Sequence, residues 1–235
     1  MNINQLSKRL TTVANQIPNQ STLADIGSDH AYLPCYAVKA GIVTKAVAGE
    51  VVEGPFQAAK QQVQEAGLEQ WIDVRKGNGL EVIAPGEVEC ITIAGMGGTL
   101  IASILEEGKA KLEGVKRLVL QPNISAINIR QWLLANEWEL IAEMIMEEDG
   151  KIYEVLTVEK GDPFKPYEAN QAQQLLLGPF LMEEKNEAFL KKWQREASQL
   201  ELVLENLKKA EDSEAVANKR QQVLHELNLI KEAIE

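Results

Sequence analysis

The sequence predicts an α/β fold, in which helices cover both faces of a largely parallel β-sheet, followed by a helical C-terminal domain. Within residues 1–160, short apolar runs alternate with helical patterns, as in right-handed βαβ crossovers. These runs are continuously apolar, which is typical of strands buried on both faces. From about residue 167 onward, the apolar spacing is helical throughout.

The order of the elements follows from periodicity and from turn residues. A first helix carries Leu6, Leu10, Val13 and Ile17 on one stripe and ends at Pro18. Strands and helices then alternate. The predicted strands cover 23–27, 46–50, 71–75, 90–94 and 118–120, and the predicted helices cover 34–39, 55–66, 99–105 and 127–136.

An antiparallel hairpin is predicted to complete the sheet. Strand-like runs over 138–146 and 152–158 flank the pair Asp149-Gly150, and this arrangement is typical of a tight β-turn. The segment 161–166, rich in Gly and Pro, breaks the pattern and predicts a domain boundary. We therefore expect one domain over 1–160 and another over 161–235.

The C-terminal domain is predicted to be an antiparallel helical coiled coil. Helices are expected over 167–177, from about 181 to 210, and after the polar turn 211–213. Apolar residues recur there at the three-four spacing of a coiled-coil seam. They are Leu200, Val203 and Leu207 on the long helix, and Val216, Val223, Leu227, Ile230 and Ile234 on the last helix.

Composition narrows the functional classes. The hydrophobic fraction of 45% and charged fraction of 25% are typical of globular proteins, and no apolar run approaches a membrane span. The polar N-terminus lacks a signal-peptide core, so a cytoplasmic enzyme is expected. Cys35 and Cys90 form no CxxC or Cys/His cluster, so neither structural zinc nor a disulfide framework is expected. The net charge of −11 argues against nucleic acid unless Lys and Arg cluster locally.

Four short segments follow successive predicted strands and should meet at the carboxyl edge of the sheet, where ligands bind. The first runs from Asp25 to Leu33. Gly27 lets a ligand approach the backbone, and the segment lacks the GxGxxG pattern of dinucleotide sites. The carboxylates of Asp25 and Asp29 suit a cationic ligand such as S-adenosylmethionine, which carries an ammonium and a sulfonium. The alternative is an ordinary strand-to-helix turn.

The next two segments suit a nucleoside. Glu50 at the end of the second strand can accept hydrogen bonds from both ribose hydroxyls, and Val51 can pack on adenine. The loop Gly77-Asn78-Gly79-Leu80 is tight, and the Asn78 amide can read the adenine amino group. A surface glutamate and a simple turn are the alternatives.

The glycine-rich segment Ala94-Gly95-Met96-Gly97-Gly98 clears space for a flat base beside a methyl donor. A structural turn rarely needs three glycines, so this segment favours a binding site. Gln121 and Asn123 follow the fifth strand in the same rim, where their amides can hydrogen-bond the edge of a target base.

Several segments together resemble the bacterial tRNA (adenine-22-N1)-methyltransferase family, called TrmK. In place of the second and third glycines of the commoner DxGxGxG methyltransferase pattern, this chain has Asp29 and Ala31, which fits the SDH-type motif of the family. The matching segments are LSKRLTTVANQIP (6–18), ADIGSDHAYLP (24–34), GNGLEVI (77–83), ITIAGMGG (91–98), LVLQPN (118–123) and IRQWLLANEWELIAEMIMEEDGKIYEVL (129–156).

The resemblance implies a class I methyltransferase domain with a Rossmann-like sheet, S-adenosylmethionine as cofactor, and N1 of adenine 22 in tRNA as the methyl acceptor. No metal is expected, and a monomer is favoured. The residues expected to bind the cofactor are Arg9, Asp25, Gly27, Ser28, Asp29, His30, Glu50, Val51, Gly77, Asn78, Gly79, Leu80, Ala94, Gly95, Met96 and Gly97. The expected catalytic residues are His30, Gln121 and Asn123.

Direct attack by adenine N1 needs no covalent enzyme intermediate, so catalysis should come from proximity and orientation after the base leaves its stack. Asp29 and His30 are candidates to shape a site that stabilises the cationic product. Two other functions stay open: methylation of a different substrate, and a non-catalytic nucleoside-binding scaffold whose coiled coil recruits a partner. A salt-sensitive interaction with tRNA separates the first from the tRNA enzyme.

Basic residues near the site are expected on the N-terminal helix. If this helix crosses the rim, Lys8 and Arg9 face either an incoming phosphate or the carboxylate of the cofactor. A solvated helix face is the alternative. In that case the basic surface is expected among Arg130, Lys191, Lys192 and Arg195.

Overall fold

A computed structural model describes residues 2–168, 170–209 and 213–235. Its centre is a seven-stranded sheet of order β3-β2-β1-β4-β5-β7-β6. The strands are β1 (Ser21–Ile26), β2 (Val43–Glu50), β3 (Ile72–Lys76), β4 (Cys90–Gly97), β5 (Arg117–Ile124), β6 (Trp138–Glu148) and β7 (Lys151–Lys160). The helices are α1 (Lys8–Ala14), α2 (Tyr32–Lys39), α3 (Glu53–Glu65), α4 (Gly98–Glu107), α5 (Ala126–Ala135), α6 (Gln171–Leu177), α7 (Pro179–Glu184), α8 (Glu187–Lys209) and α9 (Glu214–Ile234).

The strands pair as the sequence predicts. β1 to β5 are parallel to their neighbours, and β7 is antiparallel to both β5 and β6. Asp149 and Gly150 have φ angles of 51° and 74°, the backbone that a two-residue hairpin turn requires. The strand order reverses between β1 and β4, which is where open α/β sheets bind ligands.

Two apolar layers bury the faces of the sheet. Leu10 of α1, Leu33 of α2 and Val63 of α3 belong to one layer. Ile101 of α4 and Ile129 of α5 belong to the layer on the opposite face. Burial on both faces explains the continuously apolar strands, and the α/β fold class is confirmed.

The C-terminal helices differ from the sequence prediction in their boundaries. The continuous helix expected from 181 to 210 is wrong, because Lys185 adopts a φ of 44° and separates α7 from α8. Asn186 then caps α8, accepting a hydrogen bond of 3.1 Å from the backbone N–H of Phe189. The helix expected from 167 begins only at Gln171. The end predicted at 210 and most of the turn 211–213 lie outside the described residues.

The predicted seam is confirmed in part, because Val223, Leu227 and Ile230 of α9 are buried and Leu200 of α8 packs against the helical core. α8 and α9 pack together, as the predicted hairpin requires, but Val203 is 39% exposed. The buried residues of α8 are instead Phe189, Trp193 and Ala197, which share a core with α6, α7, α9 and Ile145 of β6. The seam sits nearer the start of α8 because that end lies against the sheet.

A buried ion network joins the helical segment to the sheet. The Arg130 side chain is fully buried, so its expected place on a basic surface is wrong. Its Nε donates to Glu143 at 2.7 Å, and Nη2 donates to Glu154 at 2.6 Å. Its Nη1 donates to the carbonyls of Leu175 and Leu176, each at 3.2 Å. The network is completed by Lys192 of α8, which is ion-paired with Glu154.

The thiols of Cys35 and Cys90 are both buried and unpaired. Burial raises their pKa to about 11 and about 12, which keeps both protonated and unreactive at neutral pH. Among the described residues, no cluster of three or more His, Cys, Asp or Glu side chains is placed to hold a metal ion. No helix in the described ranges has the length and apolarity to cross a bilayer.

Replacing Arg130 should strongly destabilise the fold. Arg130→Met leaves the Glu143 carboxyl buried without its partner, which should lower the free energy of unfolding by roughly 3–5 kcal/mol. Urea denaturation at neutral pH measures this loss. Lys208→Met is the matched control, because it removes a cation from an exposed pair with Glu205 and should leave stability almost unchanged. Equal effects of the two substitutions would contradict the role of the network.

Candidate active site

A cavity of about 270 Å³ lies at the carboxyl edge of β1 and β4, where the strand order reverses. The structure brings together there many residues that the sequence analysis selected. They are Arg9, Asp25, Gly27, Ser28, Asp29, Ala94, Gly95, Met96 and Asn123. Leu10, Leu33 and Tyr153 complete the lining and were not selected. The sequence therefore located the edge and most of its residues.

The turn between β1 and α2 has an unusual backbone. Gly27 has a φ of 69°, and a Cβ added there would lie 2.2 Å from Cε of Met96. Asp29, His30 and Ala31 follow with φ angles of 40°, 67° and 54°, in the left-handed region that disfavours residues with side chains. Such strain is found where the surrounding structure fixes a loop for function.

Glu50 at the end of β2 holds this turn. Its Oε1 accepts a hydrogen bond of 2.5 Å from the backbone N–H of Asp29, and its side chain is almost fully buried. Its Oε2 accepts no hydrogen bond from the described residues, and Glu50 lies behind the turn rather than in the cavity lining. Burial raises the pKa of this carboxyl, while the Asp29 N–H bond acts in the opposite direction.

The loop after β3 lies next to Glu50. The backbone N–H of Gly77 donates to the carbonyl of Glu50 at 2.9 Å, which places Asn78 and Gly79 at the same edge. Val51 is 56% exposed and is available to a ligand. Leu80 is buried in the core, so only its backbone is available for the cofactor contact expected from the sequence.

Asp25 is a buried carboxylate at the floor of the turn. Its two oxygens accept hydrogen bonds from the hydroxyls of Ser28 and Thr92, both at 2.6 Å. Burial raises its pKa to about 6, although both hydroxyl bonds favour the charged form. The cavity therefore has an acidic wall whose charge depends on pH near 6.

Gln121 organises the opposite wall. Its buried Oε1 accepts hydrogen bonds from Nη1 of Arg9 at 2.6 Å and from the N–H of Gly95 at 3.0 Å. Its Nε2 donates to the carbonyl of Pro122 at 2.9 Å. With both ends of the amide engaged, the geometry favours a positioning role over the base contact expected from the sequence. Asn123 does line the cavity, and its Nδ2 donates to the carbonyl of Gly95 at 2.8 Å.

The N-terminal helix crosses the rim, as one of the two sequence interpretations required. The guanidinium of Arg9 reaches Gln121 and lies 5.3 Å from the ring centre of Tyr153. Tyr153 is on β7, inside the predicted hairpin, and nothing in the local sequence distinguishes it from a structural strand residue. Only the register of the hairpin against the parallel strands brings it to the cavity.

His30 lies beside the cavity rather than in its lining. Its side chain is half-exposed, its ring stacks on Tyr32 with 5.6 Å between centroids, and its Nε2 is 3.6 Å from the Asp29 carboxylate. His225 is exposed on α9. The catalytic role expected of His30 stays a prediction, and its position favours shaping the turn over contact with the reacting atoms. Gly97 lies just beyond the cavity as the N-cap residue of α4.

Comparison with known proteins identifies the family of this chain. A family model described as TrmK, tRNA (adenine(22)-N(1))-methyltransferase, matches residues 23–232. The chain is also 52% identical, over 100% of its length and 99% of the relative, to the tRNA (adenine(22)-N(1))-methyltransferase of Bacillus subtilis strain 168. The chain belongs to this family.

Solved structures agree with TrmK membership along the whole chain. The crystal structure of Bacillus subtilis TrmK superimposes with a TM-score of 0.96 over 99% of this chain and 100% of that one. A putative tRNA methyltransferase of Streptococcus pneumoniae, solved with S-adenosyl-L-methionine, has a TM-score of 0.87 and 43% identity over 98% of this chain and 100% of that one. The TrmK family recognised from the sequence motifs is therefore confirmed.

The buried charge of Asp25 should make stability depend on pH. Its pKa is about 6 in the folded protein, above the value near 3.9 of an unfolded chain. The unfolded chain then binds fewer protons between about pH 4 and pH 6, so this group lowers stability as pH rises through that window. At neutral pH the cost is roughly 3 kcal/mol.

Asp25→Asn should therefore be more stable than the wild type at pH 7.5, and the difference should close near pH 4. Urea denaturation without cofactor at a series of pH values measures it. Asp73→Asn, which changes an exposed carboxyl, is the control and should show no such trend. A constant difference between Asp25→Asn and wild type at every pH would refute the assignment of the titration to Asp25.

Proposed function

We propose that the protein transfers the methyl group of S-adenosylmethionine to N1 of adenine 22 in tRNA. The observation that carries this proposal is the family match over residues 23–232, in a chain whose cavity lies at the ligand-binding edge of the sheet. The cavity and the Oε2 atom of Glu50, which accepts no hydrogen bond from the described residues, fit a nucleoside with a cationic tail. The acidic wall suits the ammonium and sulfonium, and Oε2 of Glu50 suits a ribose hydroxyl.

The residues around the cavity divide into cofactor-binding groups at β1, β2 and β3 and substrate-binding groups at β5 and β7. Glu50, Val51 and the Asn78 loop bind the adenosine part, and the strained turn at Gly27 brings backbone close to the amino-acid tail. Arg9 closes the cavity over the glycine segment, where its charge suits the cofactor carboxylate. Asn123 and Tyr153 are left to contact the target base.

S-adenosylmethionine supplies an electrophilic methyl group on sulfur, and adenine N1 supplies an in-plane lone pair. As the N–C bond forms, the C–S bond breaks, and its electron pair stays on sulfur. Neutral adenine carries no proton at N1, so no side chain has to act as a base. The protein therefore contributes orientation, and Asp29 contributes a carboxylate near the cationic product.

A tRNA substrate also explains the presence of the helical segment 161–235. We infer that these helices form a second domain that helps hold tRNA and takes no part in the chemistry. The buried ion network of Arg130 supports this inference, because it fixes the position of the helices relative to the cavity. We further place the enzyme in the cytoplasm as a monomer, where tRNA is available.

The activity is tested with tRNA and S-adenosylmethionine labelled in the methyl group. Digestion to nucleosides should give 1-methyladenosine as the labelled product. A transcript with guanine in place of adenine 22 is the matched control and should accept no label. Label in another nucleoside, or equal label in both transcripts, would favour a methyltransferase of different specificity. Absence of label with either transcript would favour the nucleoside-binding scaffold.

Glu50→Gln should weaken S-adenosylmethionine binding by about 10- to 100-fold, or roughly 1–3 kcal/mol, because the amide has one acceptor oxygen and cannot accept from both the Asp29 N–H and a ribose hydroxyl. Isothermal calorimetry measures the affinity, and the melting temperature verifies folding. Glu53→Gln is the control, because Glu53 is exposed and pairs only on the surface with Lys76. Unchanged affinity in Glu50→Gln would remove Glu50 from the cofactor site.

A further inference from the structure

A second cavity, of about 550 Å³, lies between the β5–α5 turn and the C-terminal helices. It shares the lining residue Asn123 with the cofactor cavity, so the two cavities adjoin at the substrate side of the site. Ile124, Lys151, Trp193 and Arg195 are among its lining residues. We call it the interdomain cleft. Its volume is within the range of ligand sites, roughly 300–1,000 Å³.

The start of α5 forms one wall of the interdomain cleft. Its N-cap residue, Ser125, has a φ of 59° and makes no side-chain capping hydrogen bond. The backbone N–H groups of Ala126 and Ile127, which also line the cleft, find no side-chain acceptor among the described residues. Uncapped N–H groups and the helix dipole together favour an anion at this position.

An independent feature of the opposite wall also indicates a ligand. Trp193 of α8 is 4% exposed, and its indole N–H has no hydrogen-bond partner among the described residues. A buried donor without an acceptor costs roughly 1–3 kcal/mol, and tryptophan N–H groups normally find a partner. Because Trp193 lines the cleft, an occupant with acceptor oxygens can satisfy this donor.

Two cations that line the interdomain cleft also suit an anion. Lys151, at the start of β7, and Arg195, on α8, make no ion pair with the described residues, whereas Lys192 is engaged by Glu154. Glu196 and Glu226 line the helical wall as well. The cations without partners are therefore available to an outside anion. An exposed apolar contact is also present, because Ile124, which lines the cleft, is 70% exposed.

We propose that the interdomain cleft binds the nucleotide next to the methylated adenosine in the RNA strand. Its phosphate lies against the N-terminus of α5, Lys151 and Arg195, and its base contacts Ile124 and the Trp193 indole N–H. The shared lining residue Asn123 favours an RNA strand over a separate small anion, because consecutive nucleotides then occupy adjoining cavities. This inference rests on the proposed function, and it adds a site built jointly by both domains.

The first test compares two double variants with the same change in net charge. Lys151→Ala/Arg195→Ala removes both cleft cations. Lys45→Ala/Lys60→Ala removes two cations on β2 and α3, outside both cavities. The cleft variant should raise the KM for tRNA about tenfold and lower the slope of log affinity against log salt by about 1–2. Both variants should bind S-adenosylmethionine like the wild type. Indistinguishable double variants would overturn the proposal.

The second test identifies the occupant. Trp193→Phe keeps an aromatic ring but removes the indole N–H together with part of a buried ring, so it should raise the KM for tRNA several-fold and also lower the melting temperature. In the wild type, the indole N–H resonance of Trp193 should shift with a short RNA containing the target adenosine. A shift with inorganic phosphate alone, and none with RNA, would show a free-anion site and overturn the RNA assignment.

These outcomes distinguish a failure of the interdomain-cleft proposal from a failure of the proposed function. A wild-type protein that labels no tRNA overturns the proposed function itself. A wild-type protein that labels tRNA normally, with a cleft variant that does the same at equal KM, overturns only the interdomain cleft. A raised KM with unchanged kcat supports the cleft as a binding site, because the reacting atoms lie in the other cavity.

Discussion

The parallel pairing of β1 to β5 is the constraint on which the site depends. Right-handed crossovers between parallel strands bring every strand-to-helix turn to one edge, whatever the sequence distance between them. Gly27, Glu50, Gly95 and Asn123 therefore meet although they belong to four different strand ends. The reversal of order between β1 and β4 opens a gap there between the crossover helices. A cavity at this place is a consequence of topology, and only its chemistry is a property of the side chains.

Two fully buried polar side chains fix the distances between elements around the two cavities. Apolar packing alone would leave these distances adjustable. Gln121 links α1 to β4 beside the cofactor cavity, and Arg130 links α5, β6 and β7 to the end of α6 beside the interdomain cleft. Burying such groups is costly and is offset only when their hydrogen bonds are complete. Apolar replacements of similar volume often stabilise proteins, so these groups are better explained by the fixed geometry that they impose.

Sequence patterns were informative where one local rule decides the outcome. The alternation of apolar runs, the Asp149-Gly150 turn and the glycines at strand ends each have a local physical cause, and the structure agrees with them. The predictions from sequence were wrong or incomplete where contacts between residues distant in the chain determine the position of a side chain. The sequence pattern predicts that Arg130 is a cation on a helix surface. In the structure it is buried and paired with carboxylates of β6 and β7. Tyr153 likewise reaches the cavity only through hairpin register, which no local pattern encodes.

An acidic enzyme acting on a polyanion must rely on local rather than total charge. Several of its basic side chains near the sheet are neutralised in pairs, as in Arg75–Glu87, Arg117–Glu159 and Lys191–Glu147. With a net charge of −11, nonspecific attraction to RNA is weak across most of the surface. Cations left unpaired beside the site, such as Lys151 and Arg195, then act only on RNA already seated correctly. Repulsion elsewhere thus increases the selectivity of binding, since a misplaced tRNA gains none of these contacts.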